Sequence, residues 1–177
     1  LYTEVLAREL RIDYLINNAG FGGYGLFQDI EPRRHAAMIR LNVLALTGLT
    51  QAVLPDMLAR DKGRILNVAS TAAFVPGPLQ AVYFATKAYV LSFTEAIARE
   101  LAGTGVTATV LCPGATHTEF VARARLEGSR LFRGRVADSA DVAQTGYRAM
   151  LRGQTRAIHG WQNRLLLIFA PDAGHRN

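Results

Sequence analysis

Short β-rich runs alternate with helix-length segments along this chain, and no other feature constrains the fold as strongly. Residues Ile12–Ile16, Arg64–Val68, Val106–Leu111 and Arg156–Ile158 have the composition of strands. Apolar residues at three- and four-residue spacing mark the helices between them. Leu41, Leu44, Leu49, Val53 and Leu58 define one, and Val90, Thr94, Ile97 and Leu101 another. Turn signals separate the elements at Asp61-Lys62-Gly63, Pro76-Gly77-Pro78, Gly103-Thr104-Gly105 and Cys112-Pro113-Gly114. Strands joined through helices run parallel, and a parallel sheet needs helices over both faces. The predicted class is therefore α/β, a doubly wound parallel sheet in one domain.

Composition narrows the function classes. With 177 residues, half of them hydrophobic and 19% charged, the chain can bury a core without a metal or a disulfide. The single cysteine, Cys112, excludes an internal disulfide, and His35, His117, His159 and His175 lack metal-ligand spacing. The net charge of +6 is concentrated. Arg123, Arg125, Arg130, Arg133 and Arg135 against Glu127 give a local +4, leaving +2 elsewhere. Phe132 alone is interleaved there, too little for a row of stacking platforms, so nucleic acid is not an expected partner. No apolar run approaches the ~20 residues that span a bilayer. Leu1–Leu10 carries Glu4, Arg8 and Glu9 where a signal peptide would be apolar. A cytoplasmic location and no membrane partner are expected.

Two motifs compete for the chemistry. Gly20-Phe21-Gly22-Gly23-Tyr24-Gly25 matches the glycine spacing of a dinucleotide fingerprint, but the context fails. Residues 26–31 look like loop, the helix starts near Pro32, and residues 40–46 contain no acid to hold a ribose. The stronger signal is Tyr83 with Lys87, four apart at the head of a helix and so on one face. A phenol with a pKa near ~10 is a poor base at neutral pH, and a neighbouring cation is expected to lower that value. Taken alone, the pair is common on ordinary helix surfaces. Its companions lie at the carboxyl edge, where open parallel sheets place their ligands. Ser70 is expected to end the second strand, and Asn17-Asn18-Ala19-Gly20 closes the first. Asn42 is a lone amide in an apolar helix, and its plainer reading is a buried amide bonded to the helix backbone.

Taken in order, these motifs resemble the short-chain dehydrogenase/reductase family of the classical type. They are Asn17-Asn18-Ala19-Gly20, the lone Asn42, Ser70 thirteen positions before Tyr83, Tyr83 with Lys87, and Pro113-Gly114 followed by Thr118. The resemblance runs from about Ile12 to Ile158, and it implies a Rossmann-like sheet and an oxidoreductase that interconverts a secondary alcohol and a ketone. It implies NADP or NAD as cofactor, with no preference readable. Tyr83 would be the general acid/base and Ser70 would position the substrate oxygen. Lys87 would lower the tyrosine pKa and bind the nicotinamide ribose, and Asn42 would hold a proton-relaying water. Asn18, Ala19 and Gly20 would lie beside the cofactor, with Asn18 bracing the sheet. Pro113, Gly114 and Thr118 would line the nicotinamide and pyrophosphate. A homodimer or homotetramer is implied.

The family's opening strand, its glycine-rich turn and the residue that separates NAD from NADP are expected upstream of Leu1, so residues 1–177 correspond to the later two-thirds of such a domain. Alone, they are expected to be a poor enzyme, and a non-catalytic binding module of the same fold is the competing reading. A serine hydrolase is disfavoured because Ser70 lacks the flanking glycines of a nucleophile elbow. Residues 115–137 are expected to form a substrate lid. Its arginines suit an anionic substrate or, equally simply, a solvated face. The apolar segment Asn163–Ala170 is expected to pack on the domain or on a second subunit.

Overall fold

The computed structural model describes residues 8, 10–116, 137–161 and 163. Four strands, β1 (Tyr14–Asn17), β2 (Gly63–Val68), β3 (Val106–Cys112) and β4 (Arg156–Ile158), form one sheet in the order β1-β2-β3-β4. Every neighbouring pair is parallel, with Asn17 opposite Asn67 and Val68 opposite Leu111. The helices are α1 (Pro32–Ile39), α2 (Leu46–Ala59), α3 (Ala81–Glu100) and α4 (Ser139–Leu151). A π-helical turn, Arg40–Ala45, joins α1 to α2.

Alternation along the strands divides the core between the two faces. Ile65, Val106 and Ala108 meet Val53, Met57, Ile97 and Leu101 from α2 and α3. Leu66 and Leu111 meet Val142, Ala149 and Met150 from α4 on the opposite side. The doubly wound α/β class expected from the alternation is the one observed. Each of the valine, leucine, isoleucine and methionine side chains among these contributes about 1.5–3 kcal/mol when fully withdrawn from water.

β1 starts at Tyr14, two residues later than its composition suggests. The Ile12 carbonyl accepts from the Arg60 guanidinium at 2.8 Å, which also pairs with Asp13 and Asp56 and ties the end of α2 to the head of the strand. β2 ends at Val68, so Ser70 does not close the strand. It caps the short 3-10 turn Thr71–Phe74, its hydroxyl accepting from the Ala72 amide at 3.1 Å. Among the described residues β1 pairs only with β2, and Tyr14 and Ile16 are half exposed.

The helical run Pro32–Ala59 corrects the expectation of no membrane-length apolar segment. It is 28 residues long with mean hydropathy 1.4 in its most apolar window, of which 28% is buried. Scattered polar residues hide this in the sequence, yet Asn42 and Thr50 are buried against the rest of the domain. The exposed remainder includes Ile39, Leu44 and Leu58.

A polar seam crosses this otherwise apolar core. Asn17 Nδ2 donates to Asn67 Oδ1 at 2.8 Å and lies 3.2 Å from Thr50 Oγ1; Asn67 Nδ2 donates to Thr94 Oγ1 at 3.0 Å. Thr50 and Thr94 in turn donate to the carbonyls of Leu46 and Val90. The brace between strands and helices is therefore Asn17 with Asn67; Asn18 is exposed. Asn67→Ala strands both neighbours in the core, and the expected loss is about 2–3 kcal/mol in urea unfolding. A loss below about 0.5 kcal/mol would mean that the seam does not hold the sheet.

Candidate active site

Local structure at the carboxyl edge of the sheet gathers the functional side chains. Ser70 lies two residues beyond β2, and Tyr83 and Lys87 lie on the first turns of α3. The Ser70 hydroxyl is hydrogen-bonded to the Tyr83 phenol. The buried Lys87 Nζ donates to the Val68 carbonyl at 2.8 Å and sits 5.8 Å from the Tyr83 ring centroid. The next strand meets the same point, for the Thr71 amide donates to the Pro113 carbonyl at 2.9 Å. Gly114 follows, lying against the Asn163 amide.

Asn42 occupies the π-helical turn, a distortion frequent at functional sites. Its Nδ2 donates to the Phe21 carbonyl at 3.0 Å and lies 3.1 Å from Thr86 Oγ1, while Oδ1 accepts from the Phe21 amide at 3.1 Å. The amide thus bonds the backbone of the loop after β1, not of its own helix. Both amide protons are committed to Phe21 and Thr86, which makes Asn42 a clamp between that loop and α3. Gly20 lies beneath this clamp. A Cβ there would stand 3.0 Å from Asn42 Oδ1 and 3.6 Å from Lys87 Nζ.

A cleft of about 440 Å³ opens at the end of β1, lined by Asn18, Ala19, Gly20, Phe21, Arg34 and Leu41. Three of these residues were legible in the sequence. Arg34 was missed: its Nη2 donates to the Gly22 carbonyl at 3.2 Å, and its guanidinium stands 6.0 Å from the Phe21 centroid. Thr86 was missed too, although a threonine between Tyr83 and Lys87 on the same helix was the available signal. The glycine run 20–25 stays in loop, and the helix waits until Pro32, as its context suggested.

Electrostatics correct one expectation. Burial pushes the Tyr83 phenol up to about 12, opposed by the Ser70 hydrogen bond, and Lys87 is not among the causes. The same burial pulls the Lys87 ammonium down to about 8, and the neighbouring Cys112 thiol is pushed up to about 12. Desolvation outweighs the cation because it penalises the charged form of each group before they can stabilise one another.

Thr118 and the five arginines from Arg123 to Arg135 lie outside the described residues, as do residues 164–170. Residues 117–136 of the expected lid are likewise outside them; at its described ends Thr116 is bridged to Ala137.

A parallel α/β sheet with a serine, a tyrosine and a lysine converging at its carboxyl edge defines a Rossmann-like class of α/β proteins. A profile of that class, short chain dehydrogenase, matches residues 1–128, and the chain belongs to this family. It is 40% identical over 121 residues to D-beta-hydroxybutyrate dehydrogenase of Cupriavidus necator, covering 66% of this chain and 47% of that protein. It is 42% identical over 103 residues to the ketoacyl reductase HetN of Nostoc sp., covering 58% and 36%. The chain spans less than half the length of either relative. Among solved structures, the short-chain dehydrogenase from Sphingobium yanoikuyae in complex with NADPH superposes with a TM-score of 0.80 at 30% identity, covering 96% of this chain and 68% of that one.

The buried lysine makes stability depend on pH. Below about pH 8 the folded chain holds a desolvated ammonium. Between there and the ordinary lysine value the unfolded chain binds more protons than the folded one, so this contribution to stability rises with pH. A shift of this size corresponds to roughly 3 kcal/mol. Lys87→Met removes that cost and orphans the Val68 carbonyl, so at pH 7 the variant should be more stable by about 2 kcal/mol. The advantage should shrink towards pH 10.5 in paired denaturant titrations; an advantage that is absent, or the same at both ends, would contradict a buried charged lysine.

Proposed function

We propose that this chain carries the catalytic residues of an enzyme that interconverts a secondary alcohol and a ketone, using NADP or NAD. The hydrogen-bonded Ser70–Tyr83 pair, with Lys87 buried beside it, carries this reading. The residues present fit a dinucleotide. Gly20 leaves no side chain between the loop backbone and the Lys87 ammonium, and a donor of that kind suits ribose hydroxyls. The NADPH held by the Sphingobium relative supports the same assignment.

The cofactor supplies or takes up the hydride; the protein supplies position and the proton. Tyr83, protonated at neutral pH, donates to the ketone oxygen during reduction and recovers the proton during oxidation. The Ser70 hydroxyl orients that oxygen. Lys87 would hold the ribose, and Asn18, Ala19, Gly20, Pro113 and Gly114 would line the cofactor. Asn42 is a positioning residue that fixes the Phe21 loop against α3. Tyr83→Phe should lower turnover by about 10²–10⁴-fold with little change in cofactor affinity. Retained turnover in a steady-state assay would remove Tyr83 from the acid/base role.

We infer further that two or four copies associate through α2 and α3. These helices, with the π-helical turn that leads into α2, expose Leu44, Leu58 and Tyr89, and the Tyr89 hydroxyl lies 3.0 Å from Thr47 Oγ1, which joins them into one surface. Light scattering should show a dimer or tetramer, and Leu44→Lys should shift it towards monomer. A parent chain that is monomeric at high concentration would overturn the assignment.

A further inference from the structure

We propose that the two loops framing the Ser70–Tyr83 pair form an apolar recognition rim, selecting a substrate with an extended, uncharged hydrocarbon substituent next to its carbonyl or carbinol carbon. This rests on the oxidoreductase reading and names the substrate class of that site.

Placement is the first argument. The segment between β2 and α3 carries Ser70 near its start, Tyr83 stands on the first turn of α3, and the hydrogen bond between those two side chains closes it. The loop after β1 begins at Asn18 and is fastened through Phe21 to Asn42. The first loop therefore joins the reacting groups, and the second passes beside Lys87 at Gly20.

Their own residues are uncharged, and the cation that meets them is Arg34 of α1, at Gly22 and Phe21. No charged residue occurs from Tyr14 to Gln28 or from Ile65 to Thr86. Large apolar side chains point to solvent all the same: Phe27 is 64% exposed and Leu26 52%, with Tyr24 and Leu79 also exposed. The Gly25 amide donates to the Leu79 carbonyl at 2.9 Å, which brings the two groups of side chains together. Contiguous exposed apolar surface of this kind marks a binding site more often than ordinary exterior.

The rim is also held rigid. Leu79 has φ 66, a left-handed conformation that a leucine adopts only under constraint, and such residues cluster where a ligand is gripped. Gly77 lies directly on the Phe84 ring, where a Cβ would come within 2.3 Å, and the Gln80 amide donates back to the Gly77 carbonyl. Phe27 is stacked on His35 with centroids 4.9 Å apart. An apolar surface fixed before binding loses little conformational freedom when a chain settles on it.

The test pairs turnover with binding. Straight-chain methyl ketones of four to ten carbons are assayed for kcat/KM with NADPH and NADH, and the matching 2-alkanols are titrated calorimetrically. The parent chain, Leu79→Gly and Phe27→Ser are compared. Glycine accepts φ 66 freely, so Leu79→Gly removes the side chain without endangering the fold. In the parent, both kcat/KM and affinity should rise about 3–4-fold per methylene. Both variants should lose far more on the ten-carbon ligand than on the four-carbon one. A flat dependence on chain length, or variants that keep the parent's slope, would overturn the rim. So would variants that change the oligomeric state and leave the slope untouched, since the patch would then be an interface between copies. Turnover with a flat slope sinks the rim alone; a binding slope in protein that binds NADPH or NADH yet gives no turnover sinks the oxidoreductase reading and leaves the rim standing.

Discussion

Parallel pairing sets the terms for everything else in this molecule. With all four strands running the same way, their carboxyl ends share one edge, and the chain must leave that edge by loops before helices carry it back. Every residue assigned to chemistry hangs from those exits. Asn18–Gly20 follow β1, Ser70 follows β2, Pro113–Gly114 follow β3, and Tyr83 and Lys87 stand at the head of the helix entered from the β2 loop. The polar seam from Asn17 through Asn67 to Thr94 fixes strand register and helix rotation together, because each amide has its partner in one arrangement only. A slip of one residue would turn Asn67 to the opposite face and leave its partners unpaired in the core.

Desolvation governs the electrostatics of the site. Tyr83, Lys87 and Cys112 are all displaced towards their neutral forms, and burial is the leading cause for each. A phenol that holds its proton is suited to donating it, so the environment favours an acid at neutral pH over a pre-formed base. Lys87 keeps one firm contact, the Val68 carbonyl, which aims its side chain along the strand end and towards the Gly20 backbone. The lysine's contribution is thus one of placement as much as of charge.

Membership of the short chain dehydrogenase family accounts for the edge and its side chains, while the loops carry what is particular to this chain. Asn42 illustrates the division of labour. A π-helical turn interrupts the long helix where its amide is needed, and the amide is spent on joining the Phe21 loop to Thr86. The apolar segments beyond that loop are then presented from a fixed base.

The alternation of strand and helix periods determined the α/β class, and the order of Asn42, Ser70, Tyr83 and Lys87 was legible because each motif is local. Periodicity is set by which face meets the core, so a single sequence suffices to expose it. Tertiary structure decided the rest. Asn18 and Asn17 cannot be told apart in sequence as the brace, because the choice depends on which side chain meets Asn67 on the neighbouring strand. The direction of the Tyr83 shift was hidden for the same reason: spacing reports how near Lys87 lies along one helix, whereas the depth of burial that prevails over it comes from β2, the loop after it and β3 closing around the site. Leu79 at φ 66, Arg34 in the cleft and the π-helical turn at Asn42 leave no periodic trace, since each arises from contacts between segments distant in the chain.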